Sequence, residues 1–199
     1  MNHEGENLSI LKLYICKKNN KMTPIEYFPI VDEKGNIIGK STRKECHSGS
    51  FLLHPVVHLH VFNAAGHLYM QKRAMNKDIQ PGKWDTSVGG HVDYGEEITE
   101  ALRREVREEL EISDFNPVFA FQYPFRSDRE YELVHTYYTI YNGKITPDPT
   151  EITEGQFWEI SEIKANLDKN VFTPNFEREF KQLLELIQKA FPHLLKNME

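Results

Sequence analysis

Residues 89–112, GGHVDYGEEITEALRREVREELEI, run from a glycine-rich loop through an acidic turn into a strongly patterned helix. At about 100° per residue, Ile98, Ala101, Leu102, Val106 and Leu110 make one broad apolar arc. Glu105 and Glu109 fall inside that arc and Glu108 lies at its edge, while Arg103, Arg104 and Arg107 take the opposite side. A solvated helix would turn its carboxylates away from the core stripe. Glu105 and Glu109 are also like charges at i,i+4, which costs a helix roughly 0.2–0.5 kcal/mol, and an unpaired inward carboxylate costs far more. A hard divalent cation held by several oxygens supplies the missing charge.

The flanking sequence reads as strands on either side of this helix. Residues 26–42 suggest a hairpin with its turn at Glu33-Lys34-Gly35-Asn36. Residues 42–50 are polar and read as a loop or short helix. Residues 56–62 form a β-branched and aromatic strand that ends at Asn63-Ala64-Ala65-Gly66, with residues 67–73 returning as its hairpin partner. Pro81-Gly82-Lys83-Trp84-Asp85 leads into a short strand over Thr86, Ser87 and Val88. Beyond the helix, residues 118–124, 131–141 and 154–160 read as strands, residues 161–166 as a short helix, and residues 175–188 as an amphipathic helix. Phe176, Phe180, Leu183, Leu184 and Ile187 mark the apolar side of that last helix. The pattern predicts one α/β domain, a mixed sheet covered by helices, over residues 23–199. Residues 1–22 have no partner in the pattern and are expected to be an upstream extension that need not belong to the native protein.

Composition narrows the function. A chain of 199 residues with formal net charge −6 lacks the basic footprint of a nucleic-acid polymer binder, yet suits a small phosphorylated ligand reached through a metal. Two cysteines, Cys16 and Cys46, without a CxxC pair or a signal peptide, point to a reducing cytoplasm. The apolar run over residues 8–16 is broken by Lys12 and too short to cross a bilayer.

Gly90, Glu96 after a gap of five, and Arg104-Glu105-Val106-Arg107-Glu108-Glu109-Leu110-Glu111-Ile112 after a gap of seven resemble the Nudix box. Its final glycine is replaced here by Glu111. The resemblance implies an α/β/α sandwich with the box helix packed on the sheet. It also implies hydrolysis of a phosphoanhydride in a nucleoside diphosphate linked to a further group, with magnesium or manganese. By the same resemblance Glu105, Glu108 and Glu109 are the metal ligands, and one of them or a glutamate outside the helix, such as Glu132, deprotonates the attacking water. Arg104 is expected to orient Glu105, and Gly89 and Gly90 to permit close backbone approach. Glu96 is either an acid favourable to the helix dipole or an outer metal contact.

A second resemblance, over roughly residues 26–174, is to isopentenyl-diphosphate isomerase, a relative with the Nudix fold. It rests on His47 and His54 with six residues between them, Phe62-Asn63, Gln71-Lys72-Arg73-Ala74, Pro81-Gly82-Lys83-Trp84 and Gly90-His91. It implies a second metal site at His47, His54, His91, Glu130 and Glu132, whose imidazoles favour zinc, manganese or iron. Two departures argue against isomerase chemistry. Gly89 stands where the isomerase carries its catalytic cysteine, and Asn175 follows Phe172-Thr173-Pro174 where it carries a tryptophan. The expectation is therefore a hydrolase on an isomerase-like frame. An isomerase-type catalyst and a non-catalytic diphosphate-binding regulatory module are the alternatives, and related folds often form homodimers. His58 and His60 share a strand face and read as hydrogen-bonded sheet histidines in preference to ligands. Trp84 reads as packed under the sheet, and Phe119, Phe121, Tyr123 and Phe125 as ordinary strand alternation.

Overall fold

The structure is a computed structural model that describes residues 25–77 and 79–190. The extension expected over residues 1–22 and the side chain of Ile187 lie outside the described residues. Strands β1 (Tyr27–Val31) and β2 (Ile37–Thr42) form a separate two-stranded hairpin, and a one-turn helix, α1 (Arg43–Cys46), follows. The main sheet holds β3 (Leu53–Phe62), β4 (Leu68–Arg73), β5 (Trp84–Asp85), β6 (Val88–His91), β7 (Val118–Arg126), β8 (Tyr131–Ile140) and β9 (Ile152–Trp158). Three further helices are α2 (Ile98–Leu110), α3 (Ile160–Asn166) and α4 (Pro174–Ala190).

β3 is buried at all ten positions because both its faces are covered, as expected of a strand at the centre of a layered sheet. Val57, Leu59 and Val61 pack with Ala101, Leu102, Val106 and Leu110 of α2. Phe62, one step out of phase, faces the opposite layer, where Phe176, Phe180 and Leu183 of α4 join Ile160 and Ile163 of α3. Complete burial of a leucine or phenylalanine side chain stabilises the fold by roughly 1.5–3 kcal/mol, so this alternation commits each layer to one face. Trp84 joins the α4 layer beside Trp158 and Phe172.

The sheet is mixed. β3 and β8 are parallel from Leu53↔Tyr131 to Phe62↔Ile140, whereas the other paired strands run antiparallel. The expected hairpin of β3 with β4 exists only at its root, Val61↔Tyr69 and Phe62↔Leu68. Beyond that, β4 turns to β9 and β6 takes its place beside β3, pairing Val56↔His91 through Leu59↔Val88. Side chains satisfy the backbone groups left by this splay: Val61 N–H donates to Ser87 Oγ, Ser87 Oγ–H to Tyr69 O, and Thr86 Oγ1–H to Leu59 O, as buried backbone polar groups require. The glycine pair expected in a loop thus lies in strand β6, opposite Val57 and His58.

α2 begins with a capping box formed by Glu97 and Glu100, which satisfies two of the open N–H groups of its first turn. It ends at Glu111, in the left-handed conformation at φ 55° and ψ 29°. The exit that the missing glycine left open is thus made by glutamate in a glycine conformation, at a cost of roughly 1–2 kcal/mol for an L-residue. Glu111→Gly is expected to stabilise the protein by about 1 kcal/mol net of the entropy glycine adds to the unfolded chain. An unchanged or lowered urea midpoint would count against that account.

Candidate active site

A cleft of about 1210 Å³ opens between α2, the splayed strands, the β1–β2 hairpin and the start of α4. Typical small-molecule sites hold roughly 300–1,000 Å³, so a ligand the size of a nucleoside diphosphate fits. Glu105, Glu108 and Glu109 stand together on its wall. Glu109 is buried at 7 % exposure and its Oε2 accepts a hydrogen bond from Gln71 Nε2 at 3.0 Å. Burial, reinforced by the charge of Glu105, pushes the Glu109 pKa up to about 8. Burial also raises Glu105, against the pull of the neighbouring Arg104, while the Glu108 side chain stays 56 % exposed. Two crowded carboxylates that resist ionisation together could hold a cation.

Arg104 departs from its place on the helical wheel. Its side chain is long enough to fold back over the acid side of α2, where Nε and Nη2 bind Glu96 at 2.9 Å each. Nη2 also donates to His91 O at 2.9 Å and Nη1 to Glu105 Oε1 at 2.7 Å. Glu96 lies before the helix, whose N-cap is Glu97, and its carboxylate also accepts from Asp93 N–H. Burial works against its charge, but the Arg104 guanidinium outweighs it and holds Glu96 below the usual carboxylate range. Arg104 therefore ties the β6–α2 loop to the first glutamate of the helix face.

Gly90 allows that glutamate its position, since a Cβ at residue 90 would collide with the Glu105 carboxyl group. Gly90→Ala should displace Glu105 and lower turnover by about ten- to a hundredfold, in the range found when a group supporting a metal ligand is lost. Equal kcat for variant and parent would show that the close approach has no bearing on activity.

His47, His54 and His91 present ring nitrogens within 4.8 Å of one another, and His91, Glu130 and Glu132 form an overlapping group. Four separate segments meet here: the end of α1, the start of β3, β6 and β8. His54 faces Glu132 across the parallel β3–β8 pair. His54 Nδ1 lies 2.8 Å from Leu52 O, which assigns it as the donor, and its buried Nε2 has no hydrogen-bond partner among the described residues. His47 Nδ1 lies 3.0 Å from Glu130 Oε1 and its Nε2 3.0 Å from His91 Nε2. Burial lowers the pKa of His54, and of His91 well below its ordinary value, keeping the rings neutral as metal ligands must be. Burial and the Glu130 charge push Glu132 up to about 7. Phe28 of the hairpin stacks on His91 at 4.4 Å between ring centres and covers the cluster. Three imidazoles joined through His91 to two carboxylates fit a transition-metal ion.

His58 and His60 do not join either group. Both turn toward α4, where His58 Nδ1 lies 2.7 Å from Glu179 Oε2. His60 Nε2 is 3.2 Å from Glu179 Oε1 without hydrogen-bond alignment. Glu179 is fully buried. The sequence reading missed it, although its place at the edge of the apolar arc of Phe176, Phe180 and Leu183 on the helical wheel is the same signal that marked Glu108. It also passed over the cations Arg43, Arg73, Lys77 and Arg126 that line the cleft; scattered over three segments, they share no local spacing. In β7 a bulge between Phe119 and Phe121 breaks the expected alternation. It leaves Phe119 exposed and Tyr123 buried, while Phe125 reaches the cleft.

Residues 52–180 match the family model of the NUDIX domain, and the chain belongs to the Nudix family. It is 28% identical over 169 residues to isopentenyl-diphosphate Delta-isomerase 1 of Photorhabdus laumondii, covering 81% of this chain and 96% of that protein. It is 32% identical over 158 residues to an uncharacterized Nudix hydrolase of Yersinia pestis, covering 79% and 85%. The relatives are thus divided between isomerases and hydrolases. Among solved structures, DR0079 of Deinococcus radiodurans superimposes with a TM-score of 0.67 at 24% identity, over 83% of this chain and 99% of that one, which shows a shared fold. Among the described residues no helix is long and apolar enough to cross a membrane, which says nothing of β-barrels.

Proposed function

We propose that this protein is a metal-dependent pyrophosphohydrolase that cleaves the phosphoanhydride of a nucleoside diphosphate linked to a further group, or of a related diphosphate, by attack of water. The observation that carries the reading is Glu109, a buried carboxylate crowded by Glu105 and hydrogen-bonded to the Gln71 amide. Glu105, Glu108 and Glu109 would hold magnesium or manganese, which supplies charge neutralisation at the pyrophosphate and a lowered pKa for water. Arg104 holds Glu105 in place by a charge-assisted hydrogen bond. Arg43, Arg73, Lys77 and Arg126 line the same cleft and offer positive charge to a polyanion. Glu132, with a pKa of about 7, is matched to taking a proton from water at neutral pH. His47, His54, His91, Glu130 and Glu132 would hold a second ion, zinc, manganese or iron.

The reading is tested by a screen of nucleoside diphosphate sugars, dinucleotides, nucleoside triphosphates and isoprenoid diphosphates with magnesium or manganese. Turnover of at least one, abolished by chelation and restored by metal, is the expected outcome. Tight binding without turnover would establish the regulatory-module alternative instead. The isomerase alternative has its own signature, deuterium exchange from solvent into isopentenyl diphosphate. None is expected, because Gly89 has no side chain to move a proton and Asn175 offers no aromatic face to a carbocation.

A further inference from the structure

The end of the cleft nearest α4 holds His58, which the hydrolytic reading leaves unused. His58 projects from β3 toward α4, and Glu179, fully buried, fixes its Nδ1 at 2.7 Å. The Thr136 hydroxyl donates to the other Glu179 oxygen. With Nδ1 committed, the opposite edge of the ring faces β6, where a Cβ on residue 89 would sit 3.4 Å from His58 Cδ2 and 3.5 Å from Nε2. Residue 89 is glycine, so nothing stands over that edge from β6, and His58 lines the cleft beside Thr86, Glu132 and Asn175. A buried ion pair is seldom better for stability than an apolar isostere, so packing alone gives no reason for this one.

We propose that His58 is a specificity-determining hydrogen-bond donor: Glu179 holds the ring, Gly89 uncovers Nε2, and Nε2–H binds an oxygen in the part of the substrate beyond the diphosphate. The inference rests on the pyrophosphohydrolase reading for the diphosphate itself and adds the class of its substituent. That substituent is polar and oxygen-rich, as in a nucleoside diphosphate sugar, and is not a hydrocarbon. Burial opposes charge on His58, but the Glu179 carboxylate outweighs it and pushes the pKa up to about 9, so both ring nitrogens carry protons at neutral pH. Thr86 and Asn175 could pair with hydroxyl groups, whereas a hydrocarbon tail would strip them of water without replacing its hydrogen bonds.

The test uses the full chain with manganese and two probes, ADP-ribose and inorganic pyrophosphate. His58→Asn keeps an amide donor for Glu179 and removes the Nε2 edge. Gly89→Ala leaves His58 intact and sets a methyl group against that edge. Both variants should weaken ADP-ribose about tenfold, the size of one lost hydrogen bond, with the loss carried by KM more than by kcat. Pyrophosphate affinity should change less than about twofold. In [15N]histidine-labelled Glu109→Gln protein, ADP-ribose should shift the His58 Nε2 resonance and pyrophosphate should not. Equal weakening of both probes, or a His58 resonance that neither moves, overturns the proposal even if the enzyme hydrolyses diphosphates. A shift specific to ADP-ribose in a protein that turns over no diphosphate would leave the His58 role standing and remove the hydrolase reading.

Discussion

Replacing Glu109 with glutamine is expected to lower kcat on a diphosphate substrate by about 10²–10⁴-fold and at the same time to make the metal-free protein more stable. The two effects share one cause. Glu109 is buried beside Glu105; Lys77 and Arg73 offset that cost only in part, and its pKa rises to about 8 from an unfolded value near 4.3. A carboxyl group whose folded pKa is raised binds more protons in the folded state than in the unfolded one. The metal-free protein therefore loses stability as pH climbs from about 4.3 toward 8. Glutamine removes that loss, and its amide can still pair with the Gln71 side chain after a flip. Urea titrations at pH 5 and pH 8, with and without manganese, read the stability part, and single-substrate kinetics read the activity part. A Glu109→Gln enzyme with undiminished turnover would remove the helix acids from the chemistry.

The second large effect belongs to the opposite face of the sheet. Glu179→Gln is expected to destabilise the protein by about 3–5 kcal/mol, the cost of leaving one member of a buried ion pair without its partner. Burial works against charge on Glu179, but His58, and His60 after it, hold its pKa well below the usual carboxylate range. His58 is raised to about 9. The Glu179 contribution is therefore present above about 4.3 and lost as pH falls through its lowered folded value. The His58 contribution is complete below about 6.5 and lost as pH rises to about 9. The difference in unfolding free energy between parent and variant should accordingly peak between about pH 4.5 and 6.5 and shrink on the alkaline side. A difference that grows from pH 7 to 9 would mean that His58 is neutral in the folded protein.

Much of the box could be read without a structure because helix geometry is local. The 3.6-residue period alone placed Glu105 and Glu109 within the apolar arc of Ala101, Leu102, Val106 and Leu110, and the folded chain buries Glu109 in that position. The same reasoning failed for Arg104, since a wheel locates a Cβ and not the end of a long side chain. Turn residues marked most strand ends, but β3 began earlier than its β-branched run suggested, because Leu53, His54 and Pro55 are held by pairing with β8.

What the sequence determined by itself was a family-level frame: the box acids on one helix face, strands alternating with helices, and glycine where an isomerase-like relative carries cysteine. The tertiary structure decided what those acids meet. Parallel pairing of β3 with β8 sets His54 beside Glu132, the splay of β4 from β3 admits β6 with His91, and α4 lays Glu179 under His58. None of these contacts leaves a local periodicity, because strand register and helix docking follow from which faces can be buried together. Segments tens of residues apart thus become neighbours through the core they share.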